Sequence, residues 1–276
     1  MLSDQQKTHF QALGFVAVPN VLTPEQVGEY ARRFDAVIDQ VQDDPSAAGR
    51  RIFPDGHRVI VPLIEADPYF YSLIDDPRIA AVADDLLGDD CIFTGISDGQ
   101  IHSGNTNWHR DGGLPRPAIH VKFTFYLDPV APGKGGLSVI PGSHLWPLSG
   151  KLLASHIDDR PLGYPMADFP GRHDLDTKPG DLIVFSTRLW HASWGGGQRR
   201  RQMAWMMQTA PVSKAQFDRL VLGYRIMADE WSPQTGRLVS DRFFQSDNTI
   251  RKSKVRVLIE IDRRAVAERR NSKTAQ

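Results

Sequence analysis

The sequence predicts a mainly β fold, an antiparallel barrel or sandwich with helices on both flanks, and three observations carry that expectation. From about residue 91 to 210, short apolar runs recur at hairpin-like intervals, broken by Gly, Pro and Asn. Those runs are too short for helices and too closely spaced for the crossovers of a parallel sheet. On either side of this stretch the apolar period switches to that of an amphipathic helix. With 276 residues, 41% of them hydrophobic and 24% charged, the chain fits one barrel-sized domain rather than a disordered or fibrous polymer.

In chain order, Ser3 caps a helix running towards Leu13, Gly14 ends it, and Phe15–Val18 reads as a short strand. Thr23-Pro24-Glu25-Gln26 joins an N-cap, a proline at the first helical position and a capping-box glutamine. The helix it opens places Val27, Tyr30, Ala31, Phe34 and Val37 on one face. Asp43–Gly49 is a loop, and a further helix from Pro77 to Leu87 stops at Gly88. The strand candidates follow: Cys91–Ile96, Ile119–Leu127, Gly136–Ile140, Asp181–Ser186 and Gln202–Gln208. Within Lys122–Leu127, alternation puts Lys122, Thr124 and Tyr126 on one face and Phe123, Phe125 and Leu127 on the other. Ser213 and Gln216 open another helix, through Phe217, Leu220, Tyr224 and Met227. Val255–Ile261 alternates like a strand, and residues 251–276 carry nine basic against three acidic groups, which reads as a solvated, partly frayed terminus, with a partner-binding tail as the alternative. The expected organisation is thus a single domain: helical decoration over 1–90, a core barrel over about 91–210 and a helix-and-strand extension over 211–276.

Charge and cysteine content exclude several functions. Lys and Arg (33) balance Asp and Glu (33), so no long-range field attracts phosphate and nucleic-acid binding is disfavoured. The one cysteine, Cys91, excludes an internal disulfide and a thiolate zinc site. No run approaches the roughly 18 apolar residues of a membrane span. The opening MLSDQQKTHF has neither a basic n-region nor an apolar h-region, so a cytoplasmic chain is expected.

The chemistry concentrates in Trp108-His109-Arg110-Asp111. A histidine and an aspartate two apart on an extended strand point to one side, so imidazole and carboxylate can converge on a metal. A third ligand must come from elsewhere among nine histidines, and His191 lies just past the end of the apolar strand Leu182–Phe185. Arg199-Arg200-Arg201 then runs into the strand Gln202–Met207, where an arginine can project inward as a fork for a carboxylate. Together these describe a facial triad with open coordination positions beside an anchor for a dicarboxylate. His144 reads as a turn residue, Trp108 and Trp190 as core aromatics, Arg199 as a surface charge and Asp181 as the closure of a turn. Arg110, Arg116, Lys122 and Arg188 permit an anionic or polar substrate without requiring one.

In this order the motifs resemble the phytanoyl-CoA dioxygenase family of Fe(II)/2-oxoglutarate oxygenases, over most of the chain up to about residue 210. The resemblance rests on Gly14-Phe15-Val16, Leu22-Thr23-Pro24-Glu25, Trp108-His109-x-Asp111, Leu127-Asp128-Pro129, Gly136–His144, Pro179-Gly180-Asp181, His191-Ala192-Ser193 and the arginine cluster. It implies a double-stranded β-helix (a cupin-like jelly roll) with Fe(II) held by His109, Asp111 and His191. It further implies 2-oxoglutarate and O2 as cosubstrates, with Ser193 and an arginine binding 2-oxoglutarate. Arg201 fits the expected strand phase best and Arg200 is its rival; Gln100, Thr124 and Lys122 are candidate contacts to cosubstrate or substrate. Halogenating relatives lack the carboxylate, so Asp111 points to oxygenation. The implied reaction is hydroxylation of a C–H bond in a small molecule, such as a specialised metabolite, with release of succinate and CO2. Desaturation, epimerisation, cyclisation or demethylation at the same iron is the alternative, and a cupin-like binding protein without turnover is a remoter one. Either a monomer or a homodimer is compatible with the sequence.

Overall fold

The computed structural model describes residues 1–42, 49–53, 56–102, 105–111, 119–131, 133–157, 160–161, 163–195 and 200–274. Arg116, Arg199 and most of the Asp43–Gly49 loop lie outside the described residues.

Local signals account for the first elements. Helix α1 (Asp4–Leu13) opens on a full capping box between Ser3 and Gln6 and closes on Gly14, whose φ of 87° is the left-handed turn a glycine takes without strain. Strand β1 is Phe15–Val18, and α2 (Pro24–Ile38) starts from the Thr23–Gln26 capping box with its proline at the first turn. Strands β2 (Arg50–Ile52) and β3 (Arg58–Ile60) follow, then α3 (Ser72–Asp75) and α4 (Pro77–Leu87), the last capped by Asp76. The 1–90 region is therefore more than helical decoration, since β1, β2 and β3 all join the larger sheet. The last two escape sequence patterning because each is only three residues long.

The central strands are β4 (Ile92–His102), β5 (Thr106–His109), β6 (His120–Tyr126) and β7 (Leu137–Val139). After α5 (Leu148–Ala154) and a small hairpin, β8 (His156–Ile157) with β9 (Arg160–Pro161), come β10 (His173–Asp174), β11 (Leu182–Ser186), β12 (His191–Ser193) and β13 (Arg200–Gln208). They form a seven-stranded sheet, β1-β11-β6-β13-β4-β3-β2, and a four-stranded sheet, β10-β7-β12-β5, with every named pairing antiparallel. Alternation sorts the side chains between two layers. Phe123, Phe125, Leu182, Val184, Met203 and Trp205 pack outward beneath the helices, in one cluster with Phe34, Tyr224 and Leu258. Tyr126, Ile183 and Phe185 turn the other way, towards Leu137 and Val139 of the smaller sheet. The space between the sheets is where inward-facing polar residues meet.

The C-terminal region corrects the sequence reading. Helix α6 (Lys214–Trp231) opens at Ser213 as expected and is followed by α7 (Asp241–Phe244). Val255–Ile261, however, belongs to the 26-residue helix α8 (Thr249–Thr274) rather than to a strand. Its buried residues Val255, Leu258, Ile261 and Ala265 recur at helical spacing, and α8 packs on α6 and β4. A run of β-branched residues hides that period, because Val257 and Ile259 also contact the core while only partly buried. Nor is the basic end a frayed tail over its first turns. Arg251 pairs with Asp75, and Lys254 with Asp84, both cations being buried.

Candidate active site

The site forms where the smaller sheet faces the larger. His109 ends β5 and His191 begins β12, and the two are Cα partners across that ladder. In each case the preceding tryptophan points the opposite way. Trp108 and Trp190 pack with Ile140, Leu152 and Phe169 in a separate cluster, core aromatics as the sequence reading had them.

Both imidazoles are oriented from behind. His109 Nδ1 donates to the Asn107 carbonyl at 2.8 Å, and His191 Nδ1 donates to the Leu189 carbonyl at 2.9 Å. A carbonyl can only accept, so Nδ1 carries the proton and each Nε2 presents its lone pair. Asp111 completes the group: Oδ1 is 3.6 Å from His109 Nε2, and Oδ2 is 3.7 Å from His191 Nε2. One donor atom from each of the three lies within 4.8 Å of the others.

Electrostatics keeps Asp111 and His191 in their metal-binding protonation states. Burial alone would raise the Asp111 pKa, but Lys122, His191 and His109 together hold it well below the usual carboxylate range. Burial pushes His191 down to about 3, helped by the neighbouring His109, so it is a neutral imidazole at neutral pH. Asp111 Oδ2 is buried without a hydrogen bond, meeting Lys122 Nζ only as an ion pair at 3.4 Å. An orphaned carboxylate oxygen facing two free imidazole lone pairs fits a divalent cation.

The arginines resolve against the expected phase. Strand β13 pairs Gln202 with Tyr126 and Ala204 with Thr124, so even-numbered β13 positions share the inward face of β6. Arg200, 5% exposed, follows that phase. Its Nη2 donates to Ser193 Oγ at 3.2 Å, its Nη1 donates to the Gly135 carbonyl, and its guanidinium lies 5.6 Å from the Tyr126 ring centre. Arg201 points the other way, into a fork with Asp128 (Nη2–Oδ1 2.5 Å) and Asp35 (Nη1–Oδ2 3.0 Å). The inward arginine is therefore Arg200 rather than the expected Arg201, whose side chain is held by two carboxylates on the outer face of the sheet.

Ser193 lies two residues beyond His191 on the same strand face, 3% exposed. Thr124 is fully buried, and its Oγ1 has no hydrogen-bond partner among the described residues. Lys122 is inward as expected, and it is held between Asp111 and Asp98, the latter at 3.7 Å. Burial alone would lower its pKa, yet the two carboxylates raise it, so it remains an ammonium. Gln100 donates to Asp98 at 2.7 Å and contacts His57 Nε2 at 3.1 Å. His144 is a turn residue whose Nε2 donates to the Gln11 carbonyl at 3.2 Å, and Asp181 closes its turn by accepting from Asn20 and Lys178.

Asp98, Tyr126 and His57 went unassigned at the sequence level. Alternation already placed Asp98 two residues before Gln100 and Tyr126 beside Thr124, so both carried a usable signal. His57 carried none, since it lies just before the unforeseen short strand β3.

The chain is similar to known proteins over much of its length. The family model described as Phytanoyl-CoA dioxygenase (PhyH) matches residues 10–202. An ectoine dioxygenase of Streptomyces coelicolor is 29% identical over 149 residues, covering 48% of this chain and 47% of the relative, so that match spans about half the relative's length. One from Nocardia farcinica is 24% identical over 216 residues, covering 68% of this chain and 71% of the relative. Among solved structures, the α-ketoglutarate-dependent carbocyclase SnoK from nogalamycin biosynthesis superposes with a TM-score of 0.58 at 20% identity, covering 79% of this chain and 91% of that one. HygX from Streptomyces hygroscopicus, solved with nickel, 2-oxoglutarate and hygromycin B, gives 0.57 at 20% identity, with coverages of 76% and 88%. These likenesses show the shared cupin-like jelly roll. Since the family match runs from the end of α1 through His109, Asp111 and His191 to the start of β13, the chain belongs to the phytanoyl-CoA dioxygenase family.

Proposed function

We propose that this protein is a non-haem Fe(II)/2-oxoglutarate-dependent dioxygenase that hydroxylates a C–H bond of a small molecule. The observation that carries the reading is the donor set itself. Two back-bonded imidazoles and one carboxylate oxygen without a hydrogen bond would hold iron, which would bind 2-oxoglutarate and O2 beside them. Bound there, iron and 2-oxoglutarate supply O2 activation, with succinate and CO2 as coproducts.

The chain positions and encloses. His109, Asp111 and His191 are the metal ligands. Arg200 and Ser193 receive the distal carboxylate of 2-oxoglutarate, the arginine already anchored by the Gly135 carbonyl and lying against Tyr126. Ser193 is two strand residues from His191, a rise of roughly 6.6 Å, so an anion held there reaches back to the metal. Thr124 and Gln100 line the polar wall, while Phe185, Leu137 and Val139 form the apolar one.

A specialised metabolite in the cytoplasm is the substrate we assign. HygX bound to hygromycin B, and the epimerase SnoN bound to Fe3+, α-ketoglutarate and nogalamycin RO, support that class. The zero net charge supports a small molecule over nucleic acid, and no described helix is long and apolar enough to cross a membrane.

Anaerobic titration of metal-free protein with Fe(II) and 2-oxoglutarate tests the assignment. A visible metal-to-ligand band should form with native protein and be absent from His109→Ala. No band with either component in excess defeats the reading. Product mass then decides the outcome: hydroxylation adds one oxygen, whereas desaturation or ring closure removes two hydrogens.

A further inference from the structure

Three buried charges stand in a row inside the barrel. Lys122 Nζ is 3.4 Å from Asp111 Oδ2 and 3.7 Å from Asp98 Oδ1, and all three side chains are between 10% and 14% exposed. Asp98 is itself held, accepting from Gln100 Nε2 at 2.7 Å. Gln100 in turn contacts His57 at 3.1 Å, so the row is tied to the residue just before β3 and does not float. Register explains the meeting: Lys122 on β6 and Asp98 on β4 flank β13, opposite Met206 and Ala204 respectively.

A cation this close to a ligand carboxylate is a difficulty for a metal site. It competes for the Asp111 oxygen and repels a divalent ion directly. We propose that Asp98 is a positioning residue that resolves this conflict. It shares Lys122 with Asp111 while no metal is bound, and retains the ammonium when a metal takes the Asp111 carboxylate. The inference rests on the reading of His109, Asp111 and His191 as the metal ligands. It assigns a role to a carboxylate that belongs to neither the ligand set nor the 2-oxoglutarate anchor.

The charge count sets the sign of each substitution. Asp98, Lys122 and Asp111 sum to minus one, a field that favours a divalent ion. Asp98→Asn makes the sum zero and leaves Lys122 on Asp111 alone, so metal binding weakens. Lys122→Gln makes the sum minus two, so the metal-free protein loses stability while metal binding holds or tightens. The double variant Asp98→Asn/Lys122→Gln returns the sum to minus one.

The test is titration of metal-free, full-length protein with Ni(II) alone, reading the dissociation constant by calorimetry and the metal-induced shift in thermal midpoint. Asp98→Asn is expected to bind roughly tenfold more weakly or worse, with a smaller thermal shift. Lys122→Gln is expected to bind at least as tightly as native protein, with a larger shift. The double variant is expected to return to within about threefold of native affinity. If Asp98→Asn does not fold, the Lys122→Gln arm still decides. Native-like affinity in folded Asp98→Asn overturns the proposal, as does weakened binding in Lys122→Gln or no recovery in the double variant. His109→Ala separates the two levels. If it binds Ni(II) like native protein, the ligand assignment fails; if it loses binding while Asp98→Asn does not weaken, only the role of Asp98 fails.

Discussion

His109 and His191 are paired residues of the β5–β12 ladder, their ring centres 4.2 Å apart and each Nδ1 turned back onto a carbonyl two residues upstream. The spacing of the two proposed metal ligands is thus set by strand pairing, and their tautomer by the backbone. Replacing His191 by Ala should abolish the Fe(II)/2-oxoglutarate absorption band and succinate release while the far-ultraviolet circular dichroism stays native. A variant that keeps the band would show that His191 is not a ligand.

Asp111 is the proposed anionic ligand, and the effect of its loss should be as complete. Asp111→Ala is expected to release succinate at less than about 1% of the native rate, the scale on which lost ligands and their supporting groups act. Succinate production at the native rate would remove Asp111 from the site. Asp98 remains as a partner for Lys122, so the variant should fold.

Arg200 and Arg201 are neighbours with opposite assignments, which makes them a discriminating pair. Arg200→Ala should raise the KM for 2-oxoglutarate by about thirtyfold or more, the roughly 2 kcal/mol or greater of a buried charge-assisted contact. Arg201→Ala should leave that KM unchanged and instead lower stability by about 1 kcal/mol, by breaking its fork with Asp128 and Asp35. If the KM effect followed Arg201, the inward phase of β13 would be misassigned.

Acid should destabilise the metal-free protein before the ordinary carboxylate range is reached. Burial and His109 push His191 down to about 3, whereas an unfolded histidine titrates near 6.5. Between those values the unfolded chain binds the extra proton, so stability falls as pH is lowered from about 6.5 towards 3. This one group contributes a slope of at most about 1.4 kcal/mol per pH unit. Asp111, whose pKa is held low chiefly by Lys122 against the effect of burial, adds loss of the same sign at lower pH. Thermal midpoints at pH 7.5 and 5 should differ, and His191→Gln should narrow the difference. An unchanged difference would show that His191 is not the group responsible.

Leu258 tests the docking of α8. It is fully buried against the outer face of the large sheet, so Leu258→Ala should cost about 2–5 kcal/mol. At roughly 2–4 °C per kcal/mol in a chain of this size, the thermal midpoint should fall by at least about 4 °C. A frayed terminus would show no such loss.

How much was legible in the sequence depended on how local the cause was. The Ser3 cap and the Thr23–Gln26 capping box involve contacts three residues apart, and both formed where they were read. The inward face of β6 followed from alternation alone, as did the opposite directions of Trp108 and His109. Val255–Ile261 misled because a β-branched run satisfies both periods, and only packing against α6 and β4 selects the helix.

Residue chemistry and short-range spacing were enough to nominate His109, Asp111 and His191 as donors and to give the class of fold, but not the short strand that begins at His191. Tertiary structure alone decided the rest. Which of two adjacent arginines faces Ser193 depends on the register of β13 against β6, and a one-residue slip would exchange Arg200 with Arg201. Lys122 and Asp98 meet only because β6 and β4 flank β13, and no local pattern encodes that adjacency. Pairings between residues dozens of positions apart are set by the global packing of two sheets, so their chemistry exists only in the folded chain.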